Sequence, residues 1–309
     1  MRAGFSLAMN VAGLGLLVGL SALGASLYPG GEAQASGIPY ASNRPQSFQF
    51  SSDFTEPYNS VGQEFEYNND RQRFDDHGNK VAGPGTETWV GLTSLLHYWK
   101  MDGLPNTGFI ASVTLPEVAV RGNGTRVSGF GDPLVGGLVW YNPTPLRTIG
   151  AQAYVQLPTG ADSVSSDTYA LWPSLFYNEW LGKVNIDLLV GAIIRGDGPH
   201  HTEPGDTGHA NLRLGYNIVD RPTYQVTPFL SADYQKTFSS DDRDNNSIPF
   251  SDSNETALGA GVLFQLKPGV QQVFNQKMWD QVSIHYSKGV DGRNTTVTDG
   301  LFVQLWHYW

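Results

Sequence analysis

Leu301-Phe302-Val303-Gln304-Leu305-Trp306-His307-Tyr308-Trp309 closes the chain. The stretch alternates, and it stops on an aromatic side chain with no charged tail behind it. A soluble domain normally ends in a frayed polar segment. A strand that crosses a bilayer as part of a barrel instead needs apolar groups toward lipid and an aromatic at the membrane–water boundary. In that setting Leu301, Val303, Leu305 and Trp309 face lipid, with His307 as the polar exception near the interface. The expected fold class is all-β, a transmembrane antiparallel up-and-down β-barrel.

The same period of two runs through the chain from Trp89 onward, in segments of about 10–14 residues, close to the length a tilted spanning strand requires. Lys183 to Arg195 is the clearest: Val184, Ile186, Leu188, Val190, Ala192 and Ile194 share one face, with Asn185, Asp187 and Arg195 on the other. Strands are expected near 88–101, 108–120, 128–141, 147–158, 168–181, 183–196, 207–219, 223–238, 254–267, 278–289 and 296–309. Their connectors alternate between short turns, such as 142–146 and 219–222, and longer Asp/Ser/Gly/Pro-rich loops, such as 157–168, 196–207 and 239–254; the longish connector Lys267–Met278 on the short-turn side and the short external turn Asp291–Thr295 are exceptions. Short periplasmic turns opposite long external loops are the layout of an outer-membrane barrel. A soluble β-sandwich also alternates, but its connections carry no such asymmetry.

Counting back from a periplasmic C-terminus leaves one crossing to find before residue 88. It is expected within Ser47–Tyr67, where Phe48, Phe50 and Phe54 alternate with Gln49, Ser51 and Asp53, giving about twelve strands. Residues 36–87 are equally open to reading as a plug or a periplasmic arm, and 88–309 as the barrel proper.

Arg2 and the apolar stretch Leu7–Leu27, followed by Ala33-Gln34-Ala35, have the layout of a signal peptide spanning 1–35. An uncleaved anchor is the alternative. With no cysteines, disulfides and thiol nucleophiles are excluded. The formal charge of −10 argues against a nucleic-acid partner. Abundant Gly (36), Trp (8), Tyr (14) and Phe (15), with only 16% charged residues, suit tightly turning amphipathic strands.

Two motifs add a family. Ser128-Gly129-Phe130-Gly131-Asp132 is followed, some twenty-five residues on, by Leu157-Pro158-Thr159-Gly160. Together they resemble the outer-membrane transporter family associated with the meta-pathway of phenol degradation, from about Thr86 to Trp309. The resemblance implies a channel for aromatic or other hydrophobic compounds. The last residues likewise resemble the C-terminal signal read by the barrel assembly machinery, which makes that machinery an expected partner during biogenesis, beside outer-membrane lipid and a small solute. The motif residues Gly129, Gly131, Asp132, Leu157, Pro158, Thr159 and Gly160 also have structural readings. The glycines permit close strand approach, Asp132 can accept backbone N–H groups, and Pro158 and Gly160 turn the chain.

If polar faces line a lumen, that lining is Gln152, Tyr154, Gln156, Asn185, Asp187, Arg195, His209, Asn211, Arg213, Asn217, Asp233, Gln235, Gln265, Gln281, Ser283 and His285. Phe109, Trp140, Trp172 and Phe176 are candidate wall aromatics of undecided orientation. Neither cofactor nor metal is expected. Loop 200–209, with His200, His201, Glu203, Asp206 and His209, holds imidazoles and carboxylates, but Gly and Pro give it no preset geometry. The acidic run 241–246 lacks the Gly and terminal Glu of an EF-hand loop. Ser283 and His285 share a strand face, yet no nucleophile-elbow pattern accompanies them, so no catalytic residue is expected. The function expected is passive uptake of small, aromatic or hydrophobic compounds. A non-conducting barrel that binds a partner or metal through its external loops is the alternative.

Overall fold

The computed structural model describes residues 50, 54, 56–197, 204–241, 248, 251–266 and 280–309. The expected signal peptide, Phe48, His200, His201, Glu203, most of the acidic run and the connector 267–278 lie outside these residues.

Twelve strands form one closed antiparallel ring. They are β1 (Tyr58–Asn69), β2 (Glu87–Trp99), β3 (Thr107–Gly122), β4 (Leu134–Thr144), β5 (Arg147–Gln156) and β6 (Ala170–Leu181), then β7 (Val184–Arg195), β8 (Thr207–Tyr216), β9 (Tyr224–Thr237), β10 (Ser253–Leu266), β11 (Asp280–Arg293) and β12 (Asp299–Tyr308). Each pairs with its sequence neighbours, and β1 pairs with β12 to close the ring. Closure removes the unpaired sheet edges that hydrocarbon could not solvate. At the lower rim Asn59 and Trp309 exchange backbone hydrogen bonds of 2.9 and 3.0 Å. Among the described residues no helix is long and apolar enough to cross a membrane.

Period-two alternation decides the two faces of the wall. Val184, Leu188, Val190 and Ile194 of β7 point outward and are exposed, while Asn185, Asp187 and Leu189 are buried. β12 repeats the pattern, with Leu301, Leu305 and Trp309 outside and Phe302, Gln304 and Trp306 inside. An apolar outer surface around a largely polar interior is stable only with lipid outside. The lower rim carries the tight connections, such as the two-residue β4–β5 and β6–β7 turns, and the upper rim most of the long ones; the 13-residue β10–β11 connection on the lower rim and the five-residue β11–β12 connection on the upper rim are the exceptions. The lower rim is therefore the periplasmic one. Just above it, on the outer face, Arg147 and Glu179 form a 2.5 Å ion pair that Tyr177 joins.

Two strand boundaries differ from the sequence expectation. The first crossing is β1, which falls in the later part of the expected Ser47–Tyr67 window, beginning at Tyr58 beyond Pro57 and running two residues past Tyr67. Phe50 and Phe54 are inside the barrel, 2% and 6% exposed. Both rings enter one aromatic cluster. Residues 128–130 belong to an arm, Thr125–Phe130, which folds back on the upper part of β3. Gly131-Asp132-Pro133 then interrupts pairing, since Pro133 has no N–H to donate. Above the upper rim, strands Gln72–Phe74 and Lys80–Ala82 of the β1–β2 loop join Thr295–Thr296 in a small three-stranded sheet.

Candidate functional site

The interior has an aromatic part and a polar part. In the lower half, Phe50, Phe54, Tyr58, Tyr98, Trp140, Phe176 and Trp306 form a buried cluster with Leu96, Ile110, Leu138 and Leu189. Tyr58 stacks on Tyr98 at 4.2 Å, Phe50 lies 4.9 Å from Phe176 and 5.5 Å from Trp140, and Asn142 donates a 3.0 Å hydrogen bond to the Phe50 carbonyl. Trp140 and Phe176 thus point inward, as does half-buried Trp172, whereas Phe109 lies on the outer face against Trp99. The indole N–H groups of Trp140 and Trp306 and the Tyr58 hydroxyl have no hydrogen-bond partner among the described residues.

Three of these aromatics are accommodated by glycine on the neighbouring strand. Trp306 lies opposite Gly62, Trp140 opposite Gly108 and Phe176 opposite Gly150. A signal the sequence reading overlooked marks the same region: His-Tyr-Trp occurs twice, at 97–99 and 307–309. These copies end β2 and β12, the two neighbours of β1, and place Tyr98 and Tyr308 inward, 6.4 Å apart.

The rest of the interior is largely polar, and on β7–β11 its polar side chains reach the lower rim. Gln152, Asn185, Asp187, His209, Asn211, Arg213, Asp233, Gln235, Gln265, Gln281, Ser283 and His285 are buried on the inner face. Tyr154, Gln156 and Arg195 are half-buried there, and Asn217 sits in the lower turn after β8. Asn211 donates to Asp233 at 2.8 Å, His209 meets Asn211 at 3.0 Å, and Arg195 donates to Thr207 at 2.9 Å. Asn178 donates to Asp187. Arg213 faces Asp187 in register on β7 and stacks 4.2 Å over Phe229. It also interacts electrostatically with Glu64, a β1 residue missing from the expected lining. Glu64 and Glu66 both face inward on β1; in sequence they sit in an acidic, Asn-rich run that hides its own alternation. A cavity of about 20 Å³, room for about one water, lies between Thr114, Leu134, Gln152, Tyr154, Trp172, Ser174, Leu189 and His209.

Ser283 and His285 share the inner face but do not pair. His285 Nε2 instead meets Ser231 Oγ at 2.8 Å, with Phe302 stacked on its ring. In the β1–β2 loop, Asp75, Asp76 and His77 cluster in solvent. Asp75 is already occupied in forming the turn: its carboxylate accepts the backbone N–H groups of Asn79 and His77 at 2.8 and 2.9 Å. Those bonds hold its pKa below the ordinary aspartate value.

The two sequence motifs meet at the upper rim. Asp132 accepts five hydrogen bonds: from Gly160 N (3.0 Å), Ser165 Oγ (2.7 Å), Ser166 N (2.8 Å), Ser166 Oγ (2.7 Å) and Gln156 Nε2 (3.2 Å). Burial pushes its pKa up, but the hydrogen bonds from Ser166, Ser165 and Gly160 outweigh burial and hold it below the usual range. Gly131 and Gly160 pack backbone to backbone; a Cβ on Gly160 would lie 2.7 Å from the Gly131 carbonyl carbon. A Cβ on Gly129 would meet Ala161 at 2.8 Å. Leu157 N donates to Pro133 O at 3.0 Å, completing the tie between the two segments.

Among solved structures, the fold is similar to the COG4313 outer membrane channel from Pseudomonas putida F1. The TM-score is 0.69 at 17% identity, over 84% of this chain and 98% of that one. The β-domain of the Bordetella autotransporter BrkA is also similar, with TM-score 0.47 and 13% identity over 82% of this chain and 100% of that one. No curated protein matches the chain by sequence. The closed twelve-strand barrel places the protein in the Gram-negative outer membrane, its apolar outer face against lipid. A family profile matches residues 69–305, and the chain belongs to the family described as "Putative MetA-pathway of phenol degradation".

Proposed function

We propose that this protein is a passive outer-membrane channel for small solutes, and that aromatic or hydrophobic compounds are among them. The observation that carries this reading is the two-part interior, an aromatic cluster in the lower half with polar side chains above and beside it. Polar side chains hold water in a lumen, and inward-facing rings offer a planar solute stacking partners. The unpartnered indole N–H groups of Trp140 and Trp306 and the Tyr58 hydroxyl can hydrogen-bond a solute that carries its own polar group. The family to which the chain belongs and the description of the P. putida barrel as a channel support the same reading. Assembly by the barrel assembly machinery fits the aromatic-ended β12.

Phe50 and Phe54 fill the aromatic part, so passage through it requires it to open. That observation favours a second reading, a sealed barrel that acts through its external loops. Planar-bilayer recording of the full chain separates the two. A channel gives discrete current steps that added phenol reduces, and a sealed barrel gives none.

A further inference from the structure

The charged groups inside the wall are unequal in number and in how well they are satisfied. Asp187 faces Arg213 in register, and Asp233 takes a hydrogen bond from Asn211. Glu64 accepts a 3.2 Å hydrogen bond from Gln304 and feels the charge of Arg213. Glu66 is different. It lies two residues along the same inner face of β1, is 6% exposed, and has no hydrogen-bond or ion-pair partner among the described residues. Its register neighbours are Val90 on β2 and Phe302 on β12, neither of which can satisfy a carboxylate.

An ionised carboxylate held in such a place without a partner is costly. Lumen water or a mobile cation can offset that cost. Rings of Asp and Glu are how cation-selective pores attract their ions, and low-dielectric walls focus the field along the passage. We propose that Glu66, supported by Glu64, makes the lumen prefer cations over anions, so that cationic and neutral solutes pass and anionic ones are disfavoured. Arg213 lies opposite Asp187 and interacts with Glu64, whereas no cation faces Glu66 in register. This preference rests on the channel reading and adds a charge class to it.

Reversal potentials across a bilayer bathed in a KCl gradient test the proposal with the full-length protein. The unmodified channel is expected to be more permeable to potassium than to chloride. Glu66→Gln, which keeps side-chain shape, should move that ratio toward unity, and Glu64→Gln should move it less. Heat-modifiable gel mobility verifies that each variant folds. A conducting channel with equal or anion-favouring permeability would overturn the charge preference and leave the channel reading standing. Absence of any current would remove both. An unchanged ratio in the folded Glu66→Gln variant would contradict the role given to Glu66.

Discussion

Gly62 and Trp306 lie directly opposite one another across the β1–β12 seam, and the indole occupies the space where a Gly62 side chain would be. A Cβ built on Gly62 would come within 2.5 Å of the Trp306 ring. The seam pairs the first strand with the last, so it forms only when the whole chain is in place. Gly62→Val is expected to push Trp306 out of its position and cost about 1–3 kcal/mol, as overpacking typically does. Gly208→Ala makes the control, because a Cβ there meets nothing within 4 Å. Urea unfolding in detergent should show a lowered midpoint for the first variant and little change for the second.

The Asp132 carboxylate ties the β5–β6 loop to the arm that precedes β4. A pKa lower in the folded protein than in the unfolded chain means that the ionised form stabilises the fold. That contribution is present above the ordinary aspartate value of about 3.9 and is lost as pH falls through the lower, folded value. Limited proteolysis should find residues 157–169 protected at neutral pH and cleavable only in strong acid. In Asp132→Ala the same loop should be cut at neutral pH, while the strands remain resistant.

Much of this architecture is legible in the sequence because a barrel wall imposes period two. Val184 to Ile194 and Leu301 to Leu305 cannot alternate so regularly unless one face is apolar and the other is not. The turn-and-loop asymmetry follows from the membrane, so the rims too are readable. β1 is harder. Its inward residues include Glu64 and Glu66, and its outward ones include Gln63, so contrast between faces is weak. Phe50 and Phe54 supply a stronger false alternation just upstream. Their burial depends on Trp140 and Phe176, more than eighty residues away in sequence, and no local pattern encodes that contact. The Asp132 tie is partly legible: the Gly and Pro positions announce tight backbone geometry, but the partnership of Asp132 with Ser165 and Ser166 is visible only in three dimensions.

Phe50 and Phe54 lie across the aromatic part of the lumen. Phe50→Ser combined with Phe54→Ser is expected to enlarge the unitary current in bilayer recordings, because two rings leave the narrow region while the strands are untouched. An unchanged current would mean that the passage runs elsewhere in the barrel.

The central claim is that polar side chains wrap a wet lumen while apolar ones face lipid. The cysteine-free sequence allows a clean test on adjacent residues of β11, where Ser283 is buried inside and Ile284 is exposed outside. Single variants Ser283→Cys and Ile284→Cys, in native outer membranes, are treated with a charged, water-soluble thiol reagent. The account predicts labelling at position 283 and protection at 284; labelling at 284 with protection at 283 would contradict it.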